Sequence, residues 1–497
     1  MTESERYLAR IAEISFLNLW SYPNPFRDQK LGGQGDGKEI CDLLVVCGDQ
    51  IIIFSEKNIP WPNGDLATAW HRWIKRAVKH AAKQAAGAER WISDYPDRIF
   101  LDRECTIRFP IDLPLPDNRV VHRVVVARGA ADACRENIPG STGSLIIEPP
   151  IKGDTHWPKD KGSAKPFSIG DVAPDDSFVH IFDEVALDII LGELDTILDF
   201  TEYLEKRAMF IRSGRLLEAH GEENLLAYYA IRINGDGDHD FVLKPDQKNF
   251  VIDRSHYPKF VADPQYNAKK EADKVSYFWD KLIELFTIHM LDGTSITRDG
   301  HEFELRKNEV GVRYMALTRR FERRNFGAAV ADAFEKGKKK FRFFRLMISP
   351  EEAKGSNTAF FLFTQKYEDW MDEDGGYEKY RTVRTNYGLV YAKGILERFP
   401  YLKRIVGVCC EPPGQGRGGS EDLIYAEQHD WSEKDREAIR KDCEAFGVLR
   451  EGMKGTPISD KEFPDVEKRT QQQPERKRPS RKERRAAAAI ARKKGRK

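Results

Sequence analysis

Cysteine is scarce and falls into no pattern. The 497 residues hold seven, Cys41, Cys47, Cys105, Cys134, Cys409, Cys410 and Cys443, and no Cys-x-x-Cys pair. That spacing excludes a zinc knuckle and argues against a disulfide framework. Buried thiols acting as small hydrophobes, in a reducing compartment, are expected instead. No apolar run approaches the ~20 residues that span a bilayer, so no membrane partner is expected. The opening MTESERYLARIAEISF has early acids and no apolar core of signal-peptide type, which predicts a cytoplasmic chain. Among the 11 histidines there is no His-Glu-x-x-His, and no Gly-x-Ser-x-Gly elbow occurs anywhere. The glycine-rich PPGQGRGGSED, residues 412–422, lacks the Gly-Lys-Ser/Thr of a phosphate loop and reads as a hairpin loop with Arg417 at its tip. NGDGDHD, residues 234–240, alternates acids as a calcium loop does. It places His239 and Pro245 where that loop needs glycine and glutamate, and so reads as a turn. No internal repeat is present.

What the chain does have is length, charge and enough apolar residues to fold. Hydrophobic residues make up 40% and charged residues 32%. At roughly 150 residues per domain, two to four domains are expected. The net charge of +1 hides a split. Residues 464–497 carry 14 Lys/Arg against 4 Asp/Glu, which leaves 67 basic and 76 acidic groups in an acidic body. The tail has little to bury, so disorder or a marginal helix over RRAAAAIARKK is expected, with salt-sensitive nucleic-acid contact as one use.

Periodicity outlines an α/β chain. Helical spacing runs over residues 3–17, and SYPNPF at 21–26 breaks it. Two short strands with a turn at Gly48-Asp49 occupy residues 40–58. Asp65 is an N-cap for a helix to about Ser93, with Trp70, Trp73, Ile74, Ala77, Val78 and Ala81 as its apolar stripe. Arg72, Lys75, Arg76, Lys79 and Lys83 make its other side basic, a candidate nucleic-acid surface. Strands are expected at 119–128, 144–148 and 178–182, with a surface loop over 149–177. One long helix is expected over 183–207, and another over 267–291. Residues 223–233 fit helix or strand. A helix at 311–336 leads to strands at 340–348 and 358–364, a helix at 377–398, and strands at 403–410 and 422–426. In RRFERRNF, residues 319–326, like charges at i,i+4 repel, which calls for a partner, either acidic protein surface or phosphate.

The stretch with most chemistry is ICDLLVVCGDQIIIFSEKN, residues 40–58. Asp42 opens the first strand, and Glu56 and Lys57 close the second. Carboxylates fixed on adjacent strand ends suit a hydrated divalent cation, which lowers the pKa of its bound water and polarises a phosphate. A lysine beside them assists the water or steadies developing charge.

Strand-Asp, turn, strand ending acid-Lys, then a helix bearing Gln resembles the PD-(D/E)XK nuclease superfamily, with its restriction-endonuclease-like mixed sheet flanked by helices. The opening is also similar to a group of bacterial proteins sharing SYPN and FS-acid-Lys segments. The resemblance covers residues 5–130 and extends toward 210. It implies a metal-dependent DNA endonuclease using Mg²⁺ or Mn²⁺, with RNA as the alternative substrate and defence against foreign DNA as the setting such enzymes suggest. It places Asp42 on the metal, Lys57 on the water and Gln84 on water or phosphate. The departure is the triplet Ser55-Glu56-Lys57. Alternation along a strand puts Ser55 and Lys57 on one face and Glu56 on the other. A bulge before Lys57 would bring Glu56 round; otherwise Glu39, or Glu13 on the first helix, supplies the second carboxylate. If none does, the fold serves as a nucleic-acid-binding or assembly module. On this reading residues 1–210 are the nuclease-like domain and 211–338 a mainly helical middle region. Residues 339–463 form a C-terminal α/β region that recognises substrate or a protein partner, and 464–497 the basic tail.

Overall fold

A computed structural model describes residues 2–29, 37–295, 304–351, 357–414, 421–450 and 460–466. The described residues form an α/β structure with four sheets. Among the described residues no helix is long and apolar enough to cross a membrane. The expected tail helix and Arg417 lie outside the described residues.

The first helix is Glu3–Phe16, opened by a capping box in which Thr2 and Glu5 satisfy each other's backbone. Its buried Leu8, Ala12 and Phe16 face a five-stranded sheet. The strand order in that sheet is Ser21–Pro23, Leu43–Cys47, Gln50–Asn58, Val120–Arg128, Val179–Phe182. The first three strands are antiparallel. Val120–Arg128 is parallel to Gln50–Asn58, and Val179–Phe182 is parallel to Val120–Arg128. Cys47 pairs with Gln50 across Gly48-Asp49, and Gly48 supplies the positive φ of 60° that a two-residue hairpin turn needs. Parallel pairing demands a crossover, and the helix over 66–94 provides it. Asp65 caps it through Thr68, as expected, and Trp70, Trp73, Ile74, Ala77, Val78 and Ala81 are buried.

That helix is interrupted by one π-turn at Lys75–Lys79. The extra residue rotates everything after it by about 100° relative to an unbroken helix. It therefore resets the direction in which Lys79, Lys83 and Gln84 point.

Other boundaries depart from expectation for local reasons. The helix expected over 183–207 is two, Glu184–Glu193 and Ile197–Arg212, because Thr196 leaves the helix to cap Asp199. Residues 149–177 are not simply a surface loop. Ser168–Asp171 is a fully buried strand, parallel to Ile146–Lys152. Residues 222–230 are helical, and the 267–291 segment splits into Pro264–Asp273 and Tyr277–Leu291.

Elements on the two sides of residue 210 pair with one another. Leu216–Ala219 pairs with Ile146–Lys152 and with Phe250–Ile252 in a second sheet. Arg207 and Glu222, each 3% exposed, bridge the same point through bonds of 2.7 and 2.8 Å. A third sheet, ordered Arg342–Met347, Thr358–Gln365, Arg404–Cys410, Asp422–Glu427, matches the strands expected for the C-terminal region. One continuous apolar core nevertheless runs from Phe16, Trp20 and Val46 through Trp279 and Met315 to Phe360 and Val408.

Candidate active site

Asp42 sits just before its strand, and its amide donates to the Phe54 carbonyl at 3.1 Å. The pairing Leu43↔Phe54 therefore puts Asp42 opposite Ser55. Cross-strand neighbours share a face, so Asp42, Ser55 and Lys57 lie together. The Asp42 carboxylate accepts the Glu56 amide at 2.7 Å, and Lys57 Nζ stands 3.8 Å from the same oxygen while donating to the Glu56 carbonyl at 2.9 Å. Asp42 is 5% exposed and the Lys57 side chain 28%, so the pair forms a buried acid with a cation at its mouth.

Glu56 is elsewhere. The ladder from Gln50↔Val120 to Asn58↔Arg128 is unbroken, so no bulge turns the strand. Glu56 lies on the opposite face, where Phe54 meets Phe16 of the first helix. There its Oε1 takes the Arg128 Nε at 2.5 Å, and the Arg128 guanidinium in turn lies 5.2 Å over the Tyr7 ring. Burial raises the Glu56 pKa against the pull of Arg128. The expected metal role of Glu56 is therefore not supported by its position: strand alternation held, and an arginine holds the acid.

Glu13 is also away from Asp42. It is exposed near the end of its helix. The acid of that helix whose charge acts on Asp42 and Glu39 is Glu5, in its first turn. Glu39, half-buried opposite Phe26 in the small sheet, feels the Asp42 charge. Burial raises its pKa, an Asn24 hydrogen bond opposes this, and the Asp42 and Glu5 charges raise it further, with Lys57 pulling it down. Burial likewise raises Asp42 while Lys57 lowers it. The Asp42 charge raises Glu39 and the Glu5 charge raises both, a crowding of carboxylates that a cation would relieve.

Asn24 was not singled out in the sequence, although SYPNPF is a conspicuous break. Its φ of 47° is left-handed, a conformation asparagine tolerates better than most residues. Its amide donates to the Asp42 carbonyl at 3.1 Å, while Ile40 donates to the Pro25 carbonyl at 2.8 Å. The turn thus clamps the segments that carry Glu39 and Asp42.

Val125 and Ala127, in register with Ser55 and Lys57, pack in one cluster with Trp70, Trp73, Ala77 and Ala81. The basic helix therefore covers the Asp42 face. Gln84 is half-buried on it and makes no hydrogen bond to Asp42 or Lys57 among the described residues. Arg72, Arg76 and Lys83 are exposed and Lys75 half-exposed. Lys79 is engaged, 3.6 Å from Asp154 and 4.6 Å from the Trp157 ring centre.

The other expected sites are structural. Arg320 and Arg323 are buried against Asp195 and Asp280, and Arg319 pairs with Glu202, so acidic protein satisfies RRFERRNF. NGDGDHD is a turn, with Asn234 accepting the Asp236 and Asp238 amides at 3.0 Å.

No cluster of three or more His, Cys, Asp or Glu side chains suited to a metal occurs among the described residues. Mg²⁺ does not require one: it typically takes one or two carboxylates and keeps waters and substrate oxygens for the rest. Of the expected acids, Asp42 and Glu39 are the two whose charges interact at these strand ends. No protein family, characterised protein or solved structure matches this chain.

Proposed function

We propose that the chain is a metal-dependent nuclease of PD-(D/E)XK type acting on DNA, with Asp42, Glu39 and Lys57 at its centre. The observation that carries the reading is Lys57 Nζ 3.8 Å from a buried Asp42 carboxylate at the paired ends of two strands. The order helix, three antiparallel strands, crossover helix and parallel strand supports it, since that frame brings such strand ends to one place. Glu39 replaces Glu56 as the second carboxylate. A bound Mg²⁺ or Mn²⁺ would lower the pKa of its water and polarise the scissile phosphate.

The residues of the chain do the rest. Asp42 is held in one orientation by the Glu56 amide, so it presents a fixed oxygen. Lys57 is anchored by the Glu56 carbonyl and keeps its charge beside the carboxylates, where it orients water or offsets charge building on phosphate. Exposed Arg72, Arg76 and Lys83 on the covering helix would meet a phosphate backbone, a salt-sensitive and sequence-independent contact. Defence against foreign DNA is the role this enzyme class suggests.

The test is cleavage of plasmid and linear DNA by the purified chain with Mg²⁺ or Mn²⁺, beside Asp42→Asn, Lys57→Ala, Glu39→Gln and Glu56→Gln. Loss of at least about 100-fold is expected for Asp42→Asn and Lys57→Ala, on the scale of a lost electrostatic contact to a transition state. Glu39→Gln should follow them. Equal cleavage by wild type and Asp42→Asn would sink the assignment.

The second reading is a catalytically inactive nuclease-fold module that binds nucleic acid or assembles with a partner. Its support is the sealing of Glu56 onto Arg128, which removes the triplet's acid from the site. Salt-sensitive DNA binding with no cleavage under any divalent cation would favour it.

A further inference from the structure

Residues 460–466, DKEFPDV, reach side chains more than 130 positions earlier in the chain. They form no helix or strand and rest in a groove of the middle region. Arg324, on the Arg320–Gly337 helix, grips the segment's main chain. Its guanidinium donates to the Lys461 carbonyl at 2.5 Å and the Glu462 carbonyl at 3.0 Å, and pairs with Asp460 at 3.0 Å. That guanidinium is 4% exposed, so these bonds are shielded from water.

Two side chains complete the seat. Glu462 bonds His239 Nε2 at 2.7 Å and lies 3.5 Å from Lys269 Nζ. Phe463 meets the edge of Phe260 at 6.2 Å and His239 at 6.5 Å between ring centres, with Lys269 Nζ 5.9 Å from its ring. Gln265 donates to the Pro464 carbonyl at 3.5 Å. A cavity of about 150 Å³ continues past Phe463, bordered by Leu226, Tyr229, Glu202 and Arg319.

This is how proteins read short linear peptides: an arginine on carbonyls, a cationic pair on one acid, and an apolar pocket for one aromatic anchor. Everything is contributed by the 193–337 region on one side and by seven consecutive residues on the other. Only nine residues, 451–459, separate the segment from the last residue of the C-terminal α/β unit. Nine residues span at most about 30 Å, so the segment is never far from the groove and its local concentration is high.

We propose that the groove is a docking site for a peptide carrying an acid followed by an aromatic, and that residues 460–466 fill it in cis as a releasable latch. The latch holds the start of the basic tail against the acidic body. The inference is independent of the nuclease reading.

The experiment uses the full chain with a specific-protease site placed within 451–459, so that no groove residue changes. After cleavage, the 460–497 fragment is followed by gel filtration, and a fluorescent 460–466 peptide by anisotropy. The fragment should stay bound, and excess peptide should displace it at least tenfold more effectively than the same peptide with Phe463→Ala or Glu462→Lys. The uncut chain should not take up the peptide. Failure of the peptide to bind the cleaved body overturns the proposal. So does equal displacement by all three peptides, which would mean that tail charge alone holds the fragment, or retention of the fragment against any excess of peptide.

Discussion

At the residue scale, two acids in one short motif have opposite fates because a strand has two faces. Asp42 meets Lys57 at the mouth of a site, while Glu56 is turned inward and neutralised by Arg128. The distinction is testable without any nuclease assay. Glu56→Gln leaves a nearly buried guanidinium without its counter-charge, and breaking such a pair costs about 3 kcal/mol. The midpoint of urea unfolding should fall clearly for Glu56→Gln and little for Lys57→Ala, whose ammonium is partly in water. Equal midpoints for wild type and Glu56→Gln would show that Arg128 does not depend on Glu56.

At the element scale, the latch should respond to pH on both sides. Burial would raise the Glu462 pKa, but His239 and Lys269 overcome it and hold the carboxyl down at about 2. Its contribution is complete above the ordinary 4.5 and fades as pH falls toward about 2. Burial would lower the His239 pKa, but the bond and charge of Glu462 raise it, aided by Asp199 and opposed by Lys269. That contribution is complete below the ordinary 6.5 and fades as pH climbs through the raised value. Docking should therefore be tightest between about pH 4.5 and 6.5 and weaken on either side. Limited proteolysis of the 451–459 linker and tail across this range would read it, and a rate that rises steadily through the window would contradict it.

At the scale of the whole molecule, the core is shared. Trp20 donates to Glu309 at 3.4 Å, so the first sheet and the middle helices meet through a buried bond as well as apolar contact. A chain ending at residue 210 would lose the Leu216–Ala219 strand and strand Arg207 without Glu222. Such a fragment should give no cooperative thermal transition, whereas the full chain should. A fragment melting cooperatively at the full chain's temperature would show that residues 1–210 fold on their own.

Much of this was legible in the sequence where the signal is local. The helix over 66–94, its Asp65 cap, the Gly48-Asp49 hairpin and the C-terminal strands follow from periodicity and turn chemistry, which neighbouring residues determine. So did the likelihood that Glu56 would face away, since alternation is a property of a single strand. What the sequence could not decide was who meets whom. That Glu5 rather than Glu13 acts on Asp42 and Glu39, that Arg128 takes Glu56, and that Glu462 reaches His239 from 223 positions away depend on how elements cross in space. Propensity and pattern act over a few residues, whereas a site is assembled from distant ones, and only the tertiary structure sets those distances.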